Sequence, residues 1–349
     1  MLIARAPLRL SLAGGGTDLE AYYGVYGGLV VSTTIDKYFY VILSQTDSDH
    51  IQVSSSDYQT FYRHSSSETL DFEGDLRLPK VIIEHFGIRA GMSVFLASQV
   101  PPGTGLGSSS TVAVALIKAM SVLCGAPMSR QEVGALACHI EIERLGMPIG
   151  KQDQYAAAFG GLNAIEFRPD GSVRVEPIGL PPDLVIELER RLMLFFTGRS
   201  RSAAQILGEQ KRSSERSQER VIDALHTIKE SAIRLRRELE RGEIGVVGTR
   251  LHESWVAKRQ LASGITDPWI DGWYESARAA GAAGGKIAGA GGGGFLLLYC
   301  EPEYQDRVTK RLEAQGLSQM DFRFESGGAI VLTNTLLAPL RPGLAVVHG

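Results

Sequence analysis

The segment Pro101-Pro102-Gly103-Thr104-Gly105-Leu106-Gly107-Ser108-Ser109-Ser110 restricts this chain more than any other. It follows a strand-like run, Ser93–Val100, which the two prolines end, and it leads into Thr111–Leu123. There Val112, Leu116, Met120 and Leu123 recur at three- and four-residue intervals, the stripe of a buried helix. The first amides of such a helix have no intrahelical partners and sit at the positive end of its dipole, so they form a seat for phosphate. Glycines let the backbone approach the phosphate, and serine hydroxyls can donate to it or bind a divalent cation. The plainer reading is a glycine-rich turn with serine caps. Three serines ahead of an apolar helix favour the phosphate seat.

Glycine supplies 40 of the 349 residues and is concentrated in two further patches, 14–16 and 289–294. No lysine follows the last glycine of the 103–107 loop, which excludes a Walker A loop, and no HRD or DFG segment of a protein kinase occurs. Gly289, Gly291 and Gly294 have dinucleotide-binding spacing, but Phe295–Tyr299 follows as a strand where that motif demands a helix. With 36 basic and 39 acidic residues the chain lacks the clustered basic surface of a nucleic-acid binder. Its apolar runs are strand-length, far below the ~20 residues of a membrane span. The opening MLIARAPLRLSLAGGG carries charges within its apolar stretch and reads as a strand, not a signal peptide. Cys124, Cys138 and Cys300 lie far apart, without CxxC spacing, and read as buried free thiols. A reducing, cytoplasmic location is the expectation.

Leu2–Leu12, Gly28–Ser44 and Ser93–Val100 read as strands, with a polar excursion at 45–75. Ser129-Arg130-Gln131-Glu132 is a capping box opening a helix that runs to about Leu145. Pro169-Asp170-Gly171 marks a hairpin. Beyond Pro181-Pro182, the expected boundary, come a strand at Leu192–Phe196 and a long charged helical stretch from about Ser202 to Arg241. Helices at about Glu243–Leu261 and Pro268–Ala280 follow, then strand, glycine loop, strand, helix and two strands. Helices segregated against antiparallel strands predict an α+β protein of two lobes, 1–182 and 183–349, with the last 15 or so residues a loose tail.

Three segments in order, Arg5–Asp18, Val100–Thr111 and Lys286–Phe295, resemble the motifs of the GHMP kinases, PPGTGLGSSS most specifically. The resemblance covers essentially the whole chain. It implies an N-terminal ribosomal-S5-like lobe, a C-terminal ferredoxin-like lobe, and ATP with Mg2+ meeting an alcohol acceptor between them. RAPLRLSLAGGGTD together with IGKQDQYAAAFGG looks most like the branch acting on D-glycero-D-manno-heptose 7-phosphate, with fucokinase-like enzymes as neighbours. The partner expected is therefore a small sugar phosphate, neither nucleic acid nor membrane, with room for a homodimer.

The match carries roles residue by residue. Pro102, Gly103, Gly105, Leu106, Gly107, Ser108, Ser109 and Ser110 wrap the nucleotide phosphates. Asp153 matches the catalytic aspartate and is the candidate base, its plainer reading being a helix cap. Arg9 matches the cation that several members use near the transferred phosphate. Glu143, ten residues before Asp153, resembles the Mg2+-binding glutamate and is paired with Ser109. Glu141 competes, and on a regular helix the two point about 200° apart, so only one faces the cleft. Asp18, after Gly14-Gly15-Gly16-Thr17, matches the aspartate that holds sugar hydroxyls, and Gly291 and Gly292 shape the acceptor end. Gly15-Gly16 stands where galactokinase-like members carry Glu-His, which leaves room for a bulkier acceptor. An acceptor phosphate needs its own cations. Arg199 and Arg201 are the first candidates, with Lys286, Lys258 and Arg259 behind them.

Overall fold

The computed structural model describes residues 1–57, 59–65, 74, 76–89, 91–199, 203–215 and 219–335. The strands of the first lobe are β1 (Leu2–Ala13), β2 (Gly28–Gln45), β3 (His50–Ser55), β4 (Thr60–Ser65), β5 (Met92–Ser98), β6 (Asn163–Phe167) and β7 (Val173–Pro177). Those of the second are β8 (Leu192–Phe196), β9 (Gly284–Ile287), β10 (Phe295–Tyr299) and β11 (Ser318–Gln319), and β12 (Ile330–Asn334) comes last. The β-branched and aromatic run of β2 makes it long enough to serve two neighbours. Its first half pairs with β6, which continues into β7 around the Asp170-Gly171 turn, and its second half pairs with β5. The sheet order β12-β1-β2-β5-β3-β4 is antiparallel except for the parallel pair β3–β5.

β12 returns to the edge of β1, so the last strand of the expected second lobe, 183–349, pairs within the first sheet. Residues after 320 leave the second lobe, bridge β2 through Phe324 and Ile35, and complete the first sheet. Of the two strands expected after the last helix, the first is reduced to the short β11 and that single bridge. The charged stretch is two helices, Ala203–Glu215 and Glu219–Glu240, and the expected tail at 336–349 lies outside the described residues.

The second lobe orders its strands β11-β8-β10-β9, all antiparallel. In chain order that is 4-1-3-2, with helices between its first and second strands and between its third and fourth, the ferredoxin-like arrangement. The helices Val247–Lys258, Pro268–Ala280 and Pro302–Glu313 pack on this sheet, the second held at its start by Asp267 accepting from the amides of Trp269 and Ile270, while Glu219–Glu240 packs on Val247–Lys258 and on β1 and β2. Cys124, Cys138 and Cys300 are free thiols.

The register of β1 against β2 shifts at Pro7/Leu8. On one side of the shift Leu2, Ala4 and Ala6 pack with the helix Ser108–Leu123. On the other, Leu8, Leu10 and Leu12 join a core shared with Leu235, Leu251, Phe295 and Leu297 of the second lobe. A register irregularity re-aims side chains. Here it lets one strand serve two cores and turns Arg9 and Ser11 toward the space between the lobes.

Candidate active site

That space is a cleft of about 360 Å³, and all three glycine patches reach it. The middle patch ends at Gly107, whose left-handed backbone (φ +80°) starts the helix Ser108–Leu123 with no side-chain cap. Ser108, Ser109 and Ser110 line the cleft, so the helix opens its positive end into it. The third patch closes on the second by backbone contact. A Cβ at Gly105 would lie 2.4 Å from the Ala288 carbonyl oxygen, and the Phe295 amide donates to the Thr104 carbonyl at 3.2 Å. Only glycine allows the two loops to lie that close.

Asp153 sits in the first turn of the helix Gln152–Phe159, and Arg9 comes from β1. The guanidinium donates twice to Asp153 Oδ1, from Nε at 2.8 Å and from its second arm at 2.7 Å, and once to the Gly105 carbonyl at 2.6 Å. Arg9 is thus locked between the candidate base and the glycine loop. Oδ2 of Asp153 is left over Gly107, and no hydrogen bond to it occurs among the described residues. Asp18 is buried nearby. It accepts from the amides of Gly16 (2.9 Å) and Gln152 (3.2 Å) and from the Gln152 side chain (3.1 Å). Burial and then the Asp153 charge push its carboxyl above the usual range, against those amide bonds. Gly150 lets it in: a Cβ there would stand 1.9 Å from Asp18 Oδ2.

The glutamate assignment is corrected. Glu143 is exposed and bonded to His139 at 2.7 Å, on the outside of the molecule. Glu141 is fully buried, with Oε1 accepting from Ser110 at 3.1 Å and Oε2 from Gln154 at 2.7 Å. The serine beside it is Ser110, while Ser109 lines the cleft without touching it. The cause is local. After Arg130–Cys138, capped by the Ser129/Glu132 box, residues 139–144 widen to a π-helix, with the Leu145 amide reaching back to the Ile140 carbonyl. The face arithmetic of a regular helix fails across such a turn. Burial pushes the Glu141 carboxyl up to about 8, its two hydrogen bonds opposing the rise.

Several other expected contacts are structural. Gly14 packs on the Leu29 carbonyl, and Thr17 donates to the carbonyls of Gly14 and Leu29. Leu106 is core, and its carbonyl accepts from the Arg9 amide. Pro102 and Gly292 do not line the cleft, whereas Gly15, Gly16, Gly103, Gly291 and Gly293 do. Arg199 is corrected as an acceptor-phosphate ligand. Its exposed side chain lies over Trp269 and Trp273 and pairs with Asp267 at 3.4 Å. Arg201 lies outside the described residues. The cations that do line the cleft with Arg9 are Lys258 and Lys286. Ser11, Gln152 and Gln210 also line it and went unread in the sequence. Ser11 was accessible to reasoning, because residues i and i+2 of a strand share a face and Arg9 was already placed.

The family models for the GHMP kinases N terminal domain and the GHMP kinases C terminal match residues 77–161 and 235–317. A Campylobacter jejuni protein named D-glycero-alpha-D-manno-heptose 7-phosphate kinase is 35% identical, over 93% of this chain and 96% of its own length. A solved D-glycero-D-manno-heptose 1-phosphate kinase from Bacteriodes thetaiotaomicron superposes with a TM-score of 0.80, at 32% identity over 96% of this chain and all of the other. Lactococcus lactis galactokinase shares the fold at 18% identity, with a TM-score of 0.72 over 94% of each chain. No described helix is long and apolar enough to cross a membrane. With both family domains in place and relatives above 30% identity along nearly its full length, this chain belongs to the GHMP kinases and is a phosphotransferase.

Proposed function

We propose that this kinase moves the γ-phosphoryl group of ATP onto the anomeric hydroxyl of a heptose 7-phosphate, giving ADP and the 1,7-bisphosphate. The observation that carries the reading is the asymmetric hold on Asp153. Oδ1 is fixed by Arg9, while Oδ2 stands beside the helix end without a hydrogen bond from a described residue. As the acceptor oxygen bonds to phosphorus and the bond to ADP breaks, Oδ2 takes the hydroxyl proton. Arg9, held still by the Gly105 carbonyl, supplies positive charge where the equatorial oxygens develop theirs. The amides at Ser108–Ser110 hold the donor phosphates.

Glu141 with the Ser109 and Ser110 hydroxyls fits a hard divalent cation such as Mg2+. The donors are oxygens, and the carboxylate is buried at the helix mouth against Ser110. One carboxylate plus nucleotide phosphates is the usual Mg2+ arrangement, and the ion when bound neutralises phosphate charge. A polyhydroxyl acceptor is supported by Ser11 Oγ and Gln152 Oε1, both buried without a hydrogen-bond partner among the described residues, on side chains that line the cleft. Sugar hydroxyls would satisfy them.

An ADP-release assay comparing heptose 7-phosphate with fucose and galactose tests the reading, with phosphorus NMR of the product reporting the position modified. The phosphorylated heptose should give the highest kcat/KM. A faster rate on either free hexose would refute the substrate.

A further inference from the structure

Lys258 ends the helix Val247–Lys258, and Lys286 lies in β9, so both come from the second lobe, facing the helix mouth of the first. Both are more than nine-tenths buried, and both line the cleft. Neither forms an ion pair with a carboxylate among the described residues. Lys258 donates to the Gly289 carbonyl. The Lys286 ammonium has no hydrogen bond to any described residue. Two ammonium groups taken out of water without a carboxylate are costly, and the cost is recovered only when an anion enters. Their surroundings add to it. Burial comes first in lowering both side chains, Lys258 to about 8 and Lys286 well below the usual lysine value, and Arg9 acts on both.

The donor phosphates already have their seat in the amides at Ser108–Ser110 and the Arg9 fork. Asp18, Ser11 and Gln152 mark the acceptor side, and Asp18 is the carboxylate whose field reaches Lys258. We infer that Lys258 and Lys286 form a second anion seat that holds the phosphate the acceptor brings with it, and so select phosphorylated over free sugars. The inference rests on the sugar-phosphate reading above and adds the residues responsible.

The test is kcat/KM for heptose 7-phosphate and for the unphosphorylated heptose, with KM for ATP, in wild type, Lys258→Met, Lys286→Met and Lys286→Arg. Methionine keeps the volume and removes the buried charge, a change that folded proteins tolerate well. Circular dichroism and melting of each variant check the fold. Each methionine variant should lower the ratio of the two kcat/KM values about 10- to 100-fold, chiefly through KM of the phosphorylated acceptor. KM for ATP should stay within about twofold, and Lys286→Arg should recover part of the ratio. A wild-type preference retained by folded methionine variants, or a rise in KM for ATP shared by both acceptors, would overturn the second seat alone. No wild-type preference for the phosphorylated sugar would overturn the substrate reading and the seat together.

Discussion

Arg9 and Asp153 divide the work of the cleft through one carboxylate with two different oxygens. Asp153→Asn keeps an oxygen for Arg9 and removes the proton acceptor. Turnover should fall about 10²- to 10⁴-fold in the ADP-release assay while ATP still binds by calorimetry. An asparagine variant that turns over like wild type would strip Asp153 of its role. Glu141→Gln should weaken the dependence on Mg2+, raising the half-saturating metal concentration at least tenfold, while Glu143→Gln leaves it alone. The reverse order would return the metal to Glu143. The sequence pointed to Asp153, Arg9 and Asp18 through the residue types and spacing of their motifs, and all three line the cleft even though β1 shifts register just before Arg9. It misplaced the glutamate for a physical reason. Choosing between Glu141 and Glu143 requires a known angle per residue, and the π-turn at 139–144 changes that angle with no glycine or proline to announce it.

At the level of elements, the glycine loop and the helix it opens form one device. The helix is almost wholly buried, so its position is set by packing against β1 and β2, and the loop only has to deliver its mouth to the cleft. Gly105→Ala would place a methyl 2.4 Å from the Ala288 carbonyl on a backbone at φ +82°. Melting should drop by an amount matching about 2 kcal/mol or more, and ATP affinity should fall with it, by scanning calorimetry and titration. Ser129→Ala removes one half of a capping box on an exposed helix start and should cost only about 1 kcal/mol by urea denaturation, with kinetics unchanged. Strands, hairpin and caps were readable because they rest on local chemistry. Of the candidates for an acceptor phosphate, Lys258 and Lys286 line the cleft and Arg199, ranked ahead of them, does not. Arg199 follows a strand and precedes a helix, the right local setting, but Trp269 and Trp273, far along the chain, draw its side chain outward.

Across the whole molecule, the two lobes share a core through Leu8, Leu10 and Leu12, so the cleft is a seam in one packed body. Charges buried in that seam set its response to pH. Lys258 has a folded-state value of about 8 against an ordinary 10.5. Between those values the unfolded chain holds the proton that the folded chain has lost, so stability contributed at this site rises with pH through that window and is lowest below it. Lys258→Met should therefore melt higher than wild type at pH 7, by several degrees, and the gain should shrink by pH 9.5. Arg9, Lys286, Asp18 and Asp153 face the same cavity, and removing the Lys258 charge also relieves Lys286, which that charge helps to lower, so the gain at pH 7 is reinforced. An equal gain at both pH values would show that Lys258 is protonated throughout.

The pairing of Leu2 with Asn334 has a consequence for biogenesis. Met1 and Thr335, joined by hydrogen bonds, stand 334 residues apart along the chain. On a ribosome, the strand that bears Arg9 emerges before β2 to β11, yet its outer neighbour β12 follows all of them. Until then the outer edge of β1 has no partner strand, and a chain truncated before Ile330 keeps that edge open.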